Sequence, residues 1–129
     1  MLAEVDFVAV CAMWTPETQG MFNDALFAAC KPGAYFINVA RGELVEDAAL
    51  IAALQSGRLA GAYLDVWPND FATLPDPALL ADPNVVITPR ISGHADKSHN
   101  FGDELFLENL ERFVKGEPLI NQIDFERGY

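Results

Sequence analysis

Two charged side chains close two apolar runs in this sequence. Tyr35–Arg41 reads Tyr-Phe-Ile-Asn-Val-Ala-Arg and ends in a guanidinium; Leu59–Val66 reads Leu-Ala-Gly-Ala-Tyr-Leu-Asp-Val and carries Asp65 near its end. Runs of this length, rich in β-branched and aromatic residues and bounded by Pro32-Gly33, Gly42 and Gly57, predict fully buried strands. In an open parallel sheet the carboxyl ends of the strands are where ligands bind. Arg41 at such an end is either the anchor of an anion or a salt-bridged rim residue. Asp65 as a phosphoacceptor fits poorly, because the acidic pair such a site needs after its first strand is replaced by Ala12-Met13-Trp14. Cys11 and Cys30 lie in apolar stretches without metal-ligand spacing, so two buried free thiols and no metal site are expected.

The elements that would carry these residues alternate in type. Asp6–Ala12 is an apolar run of strand length, followed by the turn chemistry of Thr15-Pro16-Glu17-Thr18. Asn23 can cap a helix over Asp24–Cys30 that stops at Pro32-Gly33. After Gly42, Glu46-Asp47 opens a second helix rich in alanine and leucine, with Gly57 just past its end. Val85–Thr88 before Pro89 is a fourth strand, reached through the Pro- and Asp-rich loop Trp67–Pro83. From about Asp96 to Lys115 apolar residues recur at helical spacing among acids, and Leu119–Tyr129 forms a mixed tail. Strand, helix, strand, helix with short loops predicts βαβ units and a parallel sheet.

Composition narrows the functions open to such a fold. The 129 residues suffice for one domain, and 51% hydrophobic content with no long apolar run argues against both disorder and a membrane span. A formal charge of −11 repels nucleic acid and acidic membrane surfaces. The first residues carry no basic, secretory-type leader pattern, so the cytoplasm is the expected compartment. There is no Gly-x-Gly-x-x-Gly, so a pyrophosphate cradle is missing, and the Asp6–Ala12 strand is expected to keep an unpaired apolar edge.

An ordered set of motifs makes the chain resemble the second half of the D-isomer-specific 2-hydroxyacid dehydrogenases. These are Asp6-Phe7-Val8 leading to Thr15-Pro16-Glu17-Thr18, Lys31-Pro32-Gly33-Ala34 through Asn38-Val39-Ala40-Arg41-Gly42, Ser56–Ala62, Leu64-Asp65-Val66, Asn84–Pro89 and Glu108-Asn109-Leu110. The resemblance implies a partial Rossmann-like α/β fold: a parallel sheet of about four strands with flanking helices and a long C-terminal helix. Residues 1–95 would be the second half of the NAD(P)-binding domain, and 96–129 a helix and tail packing toward a substrate domain. It implies NAD or NADP as cofactor and a small 2-oxo or 2-hydroxy acid as substrate. Arg41 falls on the substrate-binding arginine and Asp65 on the aspartate that receives the nicotinamide carboxamide, or else Asp65 simply caps its strand. Val39 and Ala40 would line the ring, Ser92 and Gly93 close beside it, and Met13 and Glu17 approach the adenosine side.

The acid–base pair departs from the family's pattern. Where relatives read Thr-Pro-His, this chain reads Thr88-Pro89-Arg90, and Asp70 stands where a glutamate is expected. A guanidinium stays charged at any working pH and cannot relay a proton, so Arg90 is no general acid. An Arg90–Asp70 pair would hold an anion or staple the loop. His94 is read as a helix-start residue rather than as a substitute. Two functions stand: a truncated NAD(P)-dependent oxidoreductase, inactive alone, or a non-catalytic remnant that forms a homodimer or binds a related subunit through its exposed strand edge.

Overall fold

The computed structural model describes residues 1–93 and 98–126, of which 98–100 through the backbone only. It forms two compact units, Met1–Ile91 and Ser92–Tyr129. In the first, four parallel strands lie in sequence order: β1 (Phe7–Val10), β2 (Ala34–Asn38), β3 (Leu59–Leu64) and β4 (Val85–Ile87). Helices α1 (Asp24–Ala28) and α2 (Asp47–Gln55) are the crossovers between the first three strands. The α/β class and the four-stranded parallel sheet read from the sequence are what the chain adopts.

The register aligns Val8, Phe36, Ala62 and Val85 in one row, and Val10, Asn38, Leu64 and Ile87 in the next. Every member of these rows on β1, β2 and β3 is buried. Phe27 of α1 meets Phe36 edge-on at 5.1 Å, and Phe22 meets Phe36 at 5.0 Å, so an aromatic cluster fastens the first helix to the sheet. Leu50 of α2 and Leu44 are fully enclosed in the same core. Asn23 caps α1 by accepting the Leu26 N–H at 3.2 Å, and Gly57, at φ +72°, ends α2.

Several boundaries differ from the sequence reading. The run at Tyr35–Arg41 is not buried on both sides: β2 alternates, with Phe36 enclosed and Tyr35 47% exposed. Within the first unit α1 and α2 pack on one face, and Phe7, Tyr35 and Val86 stand exposed on the other. Pairing of β1 stops at Val10↔Asn38, so Cys11 lies beyond the ladder and is exposed, while Cys30 is buried as expected. β3 ends at Leu64, although Asp65 and Val66 remain buried, and β4 stops short of Thr88. α1 ends at Ala28, before Cys30. The Trp67–Pro83 loop contains a further helix, α3 (Pro77–Ala81), started by Asp76, whose carboxylate accepts the Ala78 N–H at 2.8 Å, and by Pro77 at the first helical position. That signature was present in the sequence but read as loop composition.

The second unit is built on α4 (Ser98–Lys115). Gly116 at φ +69° ends it, and the Asn109 amide pins the returning tail by bonding both the Ile120 N–H and C=O, at 2.8 and 3.1 Å. His94 and Asp96 lie outside the described residues. Among the described residues no helix is long and apolar enough to cross a membrane.

Candidate active site at the carboxyl edge of the sheet

Asn38 builds the turn that presents Arg41. Its buried side chain accepts the Ala40 N–H at 3.1 Å and donates Nδ2 to the Arg41 carbonyl at 2.9 Å, closing the chain into an Asx-type turn. Val39 is half-buried and Ala40 buried within that turn, and Arg41 emerges exposed, its Nη1 donating to the Ala40 carbonyl at 2.7 Å. The next residue must be glycine for a different reason. A Cβ on Gly42 would lie 1.9 Å from the Trp67 carbonyl carbon, so the loop leaving β3 crosses directly over it. Glu43 then accepts the Asn69 N–H at 3.1 Å, tying the two loops together a second time.

Asp65 is the knot between the central strands and β4. Its N–H donates to the Asn38 carbonyl at 2.9 Å, and its own carbonyl accepts the Arg90 N–H at 3.0 Å. The carboxylate, 2% exposed, receives the Thr88 hydroxyl at 2.5 Å and the Ile91 N–H at 2.9 Å. Since that carboxylate accepts from Thr88, the Thr88 oxygen in turn accepts from the Tyr63 hydroxyl, 2.7 Å away. The geometry is that of a strand-end aspartate whose carboxylate accepts from Thr88 and Ile91, both in the segment that follows β4.

Arg90 closes the edge. It adopts φ +56°, rare for a side chain of this size, and its guanidinium bonds Asp70 at 2.7 Å while lying 4.9 Å above the Phe71 ring. Asp70 is 7% exposed and Arg90 33%, so the pair is partly shielded from water. The pairing anticipated between these two residues is formed. Asn69, also at φ +56°, supplies the turn that aims Asp70. The sequence reading passed over Asn38, Gly42, Thr88, Tyr63 and Phe71 as participants. An asparagine just before a strand-end turn was the one legible signal.

The remaining site residues are dispersed. Met13 and Glu17 stand exposed on the loop after β1, where Thr18 Oγ1 donates to the Met13 carbonyl at 2.9 Å and the Thr15 hydroxyl lowers the Glu17 carboxyl below its ordinary range. Ser92 and Gly93 form an exposed turn that opens the second unit. Among the described residues no cluster of potential ligands could hold a metal ion. For a dinucleotide, the buried and hydrogen-bonded Asp65 suits an amide donor, whereas no segment offers the glycine-rich turn that a pyrophosphate requires.

Comparison with known proteins places this edge in context. The profile described as D-isomer specific 2-hydroxyacid dehydrogenase, NAD binding domain, matches residues 1–92. The chain is 36% identical over 120 residues to D-3-phosphoglycerate dehydrogenase of Rattus norvegicus, covering 92% of this chain and 22% of that protein. Among solved structures, a D-isomer specific 2-hydroxyacid dehydrogenase of Xanthobacter autotrophicus Py2 in complex with NADPH superposes at TM-score 0.86 with 43% identity, over 99% of this chain and 52% of that one. An NADPH-dependent glyoxylate/hydroxypyruvate reductase of Sinorhizobium meliloti in complex with NADP superposes at 0.85 with 32% identity, over 99% and 41%. The chain thus spans about half or less of the relatives it matches. From the ordered motifs, the parallel sheet and a profile match over residues 1–92, the chain belongs to the D-isomer-specific 2-hydroxyacid dehydrogenase family, in its NAD-binding domain.

Proposed function

We propose that this chain supplies the nicotinamide side and the carboxylate anchor of an NAD(P)-dependent oxidoreductase acting between small 2-hydroxy and 2-oxo acids, and that alone it does not turn over. The observation carrying this reading is the convergence of Arg41, Asp65 and Arg90 on the carboxyl edge of one parallel sheet. A bound nicotinamide cofactor would carry the hydride, given by its reduced form to a 2-oxo acid or taken by its oxidised form from a 2-hydroxy acid. Arg41, exposed on its Asn38-built turn, holds the acid's carboxylate with a planar fork of donors and orients its carbonyl. Asp65 receives the nicotinamide carboxamide, its charge maintained by Thr88 and Ile91. Val39 and Ala40 line the ring, and Met13 and Glu17 face the adenosine side. Arg90 moves no proton, because its guanidinium keeps its charge. The pyrophosphate cradle and the far wall of the substrate cleft are to come from further polypeptide. The exposed thiol of Cys11 fits a reducing compartment, and we assign the cytoplasm.

The bare sheet face favours a second reading. Parallel sheets are ordinarily covered on both sides, yet here Phe7 is 63%, Tyr35 47% and Val86 56% exposed, with Phe7 and Tyr35 stacked at 5.4 Å. β1 is also an edge strand. That surface suits a dehydrogenase remnant acting as a homodimer or as a module that docks a related subunit. Titration with NADH, followed by nicotinamide fluorescence with sedimentation alongside, separates the two. Saturable binding supports the oxidoreductase half, and a folded dimer that binds no NADH supports the interaction module. A folded monomer without binding refutes both.

A further inference from the structure

We propose that the edge holding Arg41 and Arg90 binds a short acid carrying two anionic groups, a dicarboxylate, rather than the monocarboxylate that one arginine would serve. The inference deepens the proposed function and rests on its assignment of Arg41 as carboxylate anchor. Asn38, Leu64 and Ile87 share one row of the sheet. Arg41 and Arg90 each follow three residues after their member of that row, so both leave the sheet on the same edge, from strands that flank β3. With neighbouring strands about 4.8 Å apart, the two chains leave the sheet roughly 10 Å from each other, a separation that a ligand with an anionic group at each end bridges.

The two cations are held in different ways, which suits two ends of one ligand. Arg41 is exposed on a turn fixed by Asn38. Arg90 is paired: Asp70 takes Nη1 and the exposed Phe71 ring lies under its plane, while a guanidinium carries five N–H donors, so donors remain for a second anion. One third of its side chain faces water. The carboxylates of Asp65, Asp70 and Glu43 are each engaged, Glu43 by the Asn69 N–H. Asp65 is buried under Thr88 and Ile91, and Asp70 is 7% exposed and turned onto Arg90. The Glu43–Asn69 bond and the Gly42–Trp67 contact couple the Arg41 turn to the loop after β3, and Asp70 on that same loop holds Arg90, so one loop links the two cations.

The test is calorimetric titration of the full chain at low ionic strength with succinate and, as the single-charge probe, propionate. Succinate is expected to bind about tenfold more tightly, the ratio that one additional charge-assisted contact supports. Arg90→Asn, a residue that tolerates positive φ, is expected to reduce that ratio to near one. Asp70→Asn, which frees a donor and removes the competing charge, is expected to raise it. Equal binding of the two acids, binding of neither, or an unchanged ratio in Arg90→Asn overturns the proposal. Should Arg90→Asn not fold, Asp70→Asn decides: a raised ratio supports the second anionic subsite, and an unchanged or lowered ratio leaves the pair as a loop staple. No nucleotide is present, so this outcome is separate from that of the NADH titration.

Discussion

Replacing Asn38 with alanine tests whether the anchor turn is built as its hydrogen bonds indicate. Asn38 is 1% exposed, accepts the Ala40 N–H at 3.1 Å and donates to the Arg41 carbonyl at 2.9 Å. Alanine removes both bonds and leaves the N–H of Ala40, a residue 9% exposed, without its acceptor. Buried hydrogen bonds are worth about 1 kcal/mol each, and an orphaned buried donor about 1–3 kcal/mol, so the loss comes to about 2–4 kcal/mol. For a domain of this size that is a fall in Tm of about 10 °C, read by circular dichroism and checked by urea unfolding. Asn38→Leu keeps the volume while removing the polar groups, and is expected to lose a similar amount. A Tm for Asn38→Ala within about 2 °C of the parent would refute the reasoning, since even one net bond exceeds that. A stable Asn38→Leu beside an unstable Asn38→Ala would instead assign the effect to the cavity.

Other positions test other links. Gly42→Ala places a methyl 1.9 Å from the Trp67 carbonyl carbon, so the loop must move; overpacking of this kind costs about 1–3 kcal/mol, and a Tm equal to the parent's would show that the crossing is not tight. Asn23→Ala removes the cap on Leu26 and is expected to cost about 1 kcal/mol by urea unfolding. Asp47 has a carboxyl raised above its ordinary 3.8 by burial first and by Asp76 second, against the pull of its own helix terminus. Below 3.8 it is protonated in folded and unfolded chains alike; as pH rises through the raised folded value, the folded state ionises at a cost and stability is lost. Asp47→Asn is therefore expected to raise Tm at pH 7 and to match the parent below about pH 4, and a gap independent of pH would refute this.

The fold was legible because its signals are periodic and local. Apolar runs of strand length, the Asn23 cap and Gly57 after α2 each act within a few residues, and each was read correctly. What the sequence concealed depends on what lies across a face. Tyr35 reads as core because its run is of core types, yet it is 47% exposed on the face opposite α1 and α2. Cys11 was misread for the same reason, one residue past the last paired position. The site was legible in its ends and not in its supports. Arg41, Asp65 and the Arg90–Asp70 pair could be named, but Gly42 matters because Trp67 crosses it, a contact between residues far apart in the chain.

The substitution at position 90 shows why those supports matter for chemistry. An imidazole works as an acid only if it can lose its proton near neutral pH, and a carboxylate beside it sets that exchange. An arginine behaves differently: the Asp70 carboxylate beside Arg90 fixes a permanent charge rather than tuning a labile proton. Phe71 adds a flat surface that fits a guanidinium plane. Asn69 holds positive φ to aim the carboxylate, and Arg90 holds positive φ to meet it, so two uncommon backbone conformations support one ion pair. Such conformations cost energy that the surrounding contacts must repay. Here the Asp70–Arg90 pair repays it, and the ties through Gly42 and Glu43 join the loop that carries Asp70 to the turn that carries Arg41, so a change at either end of the pair is transmitted to the other strand end.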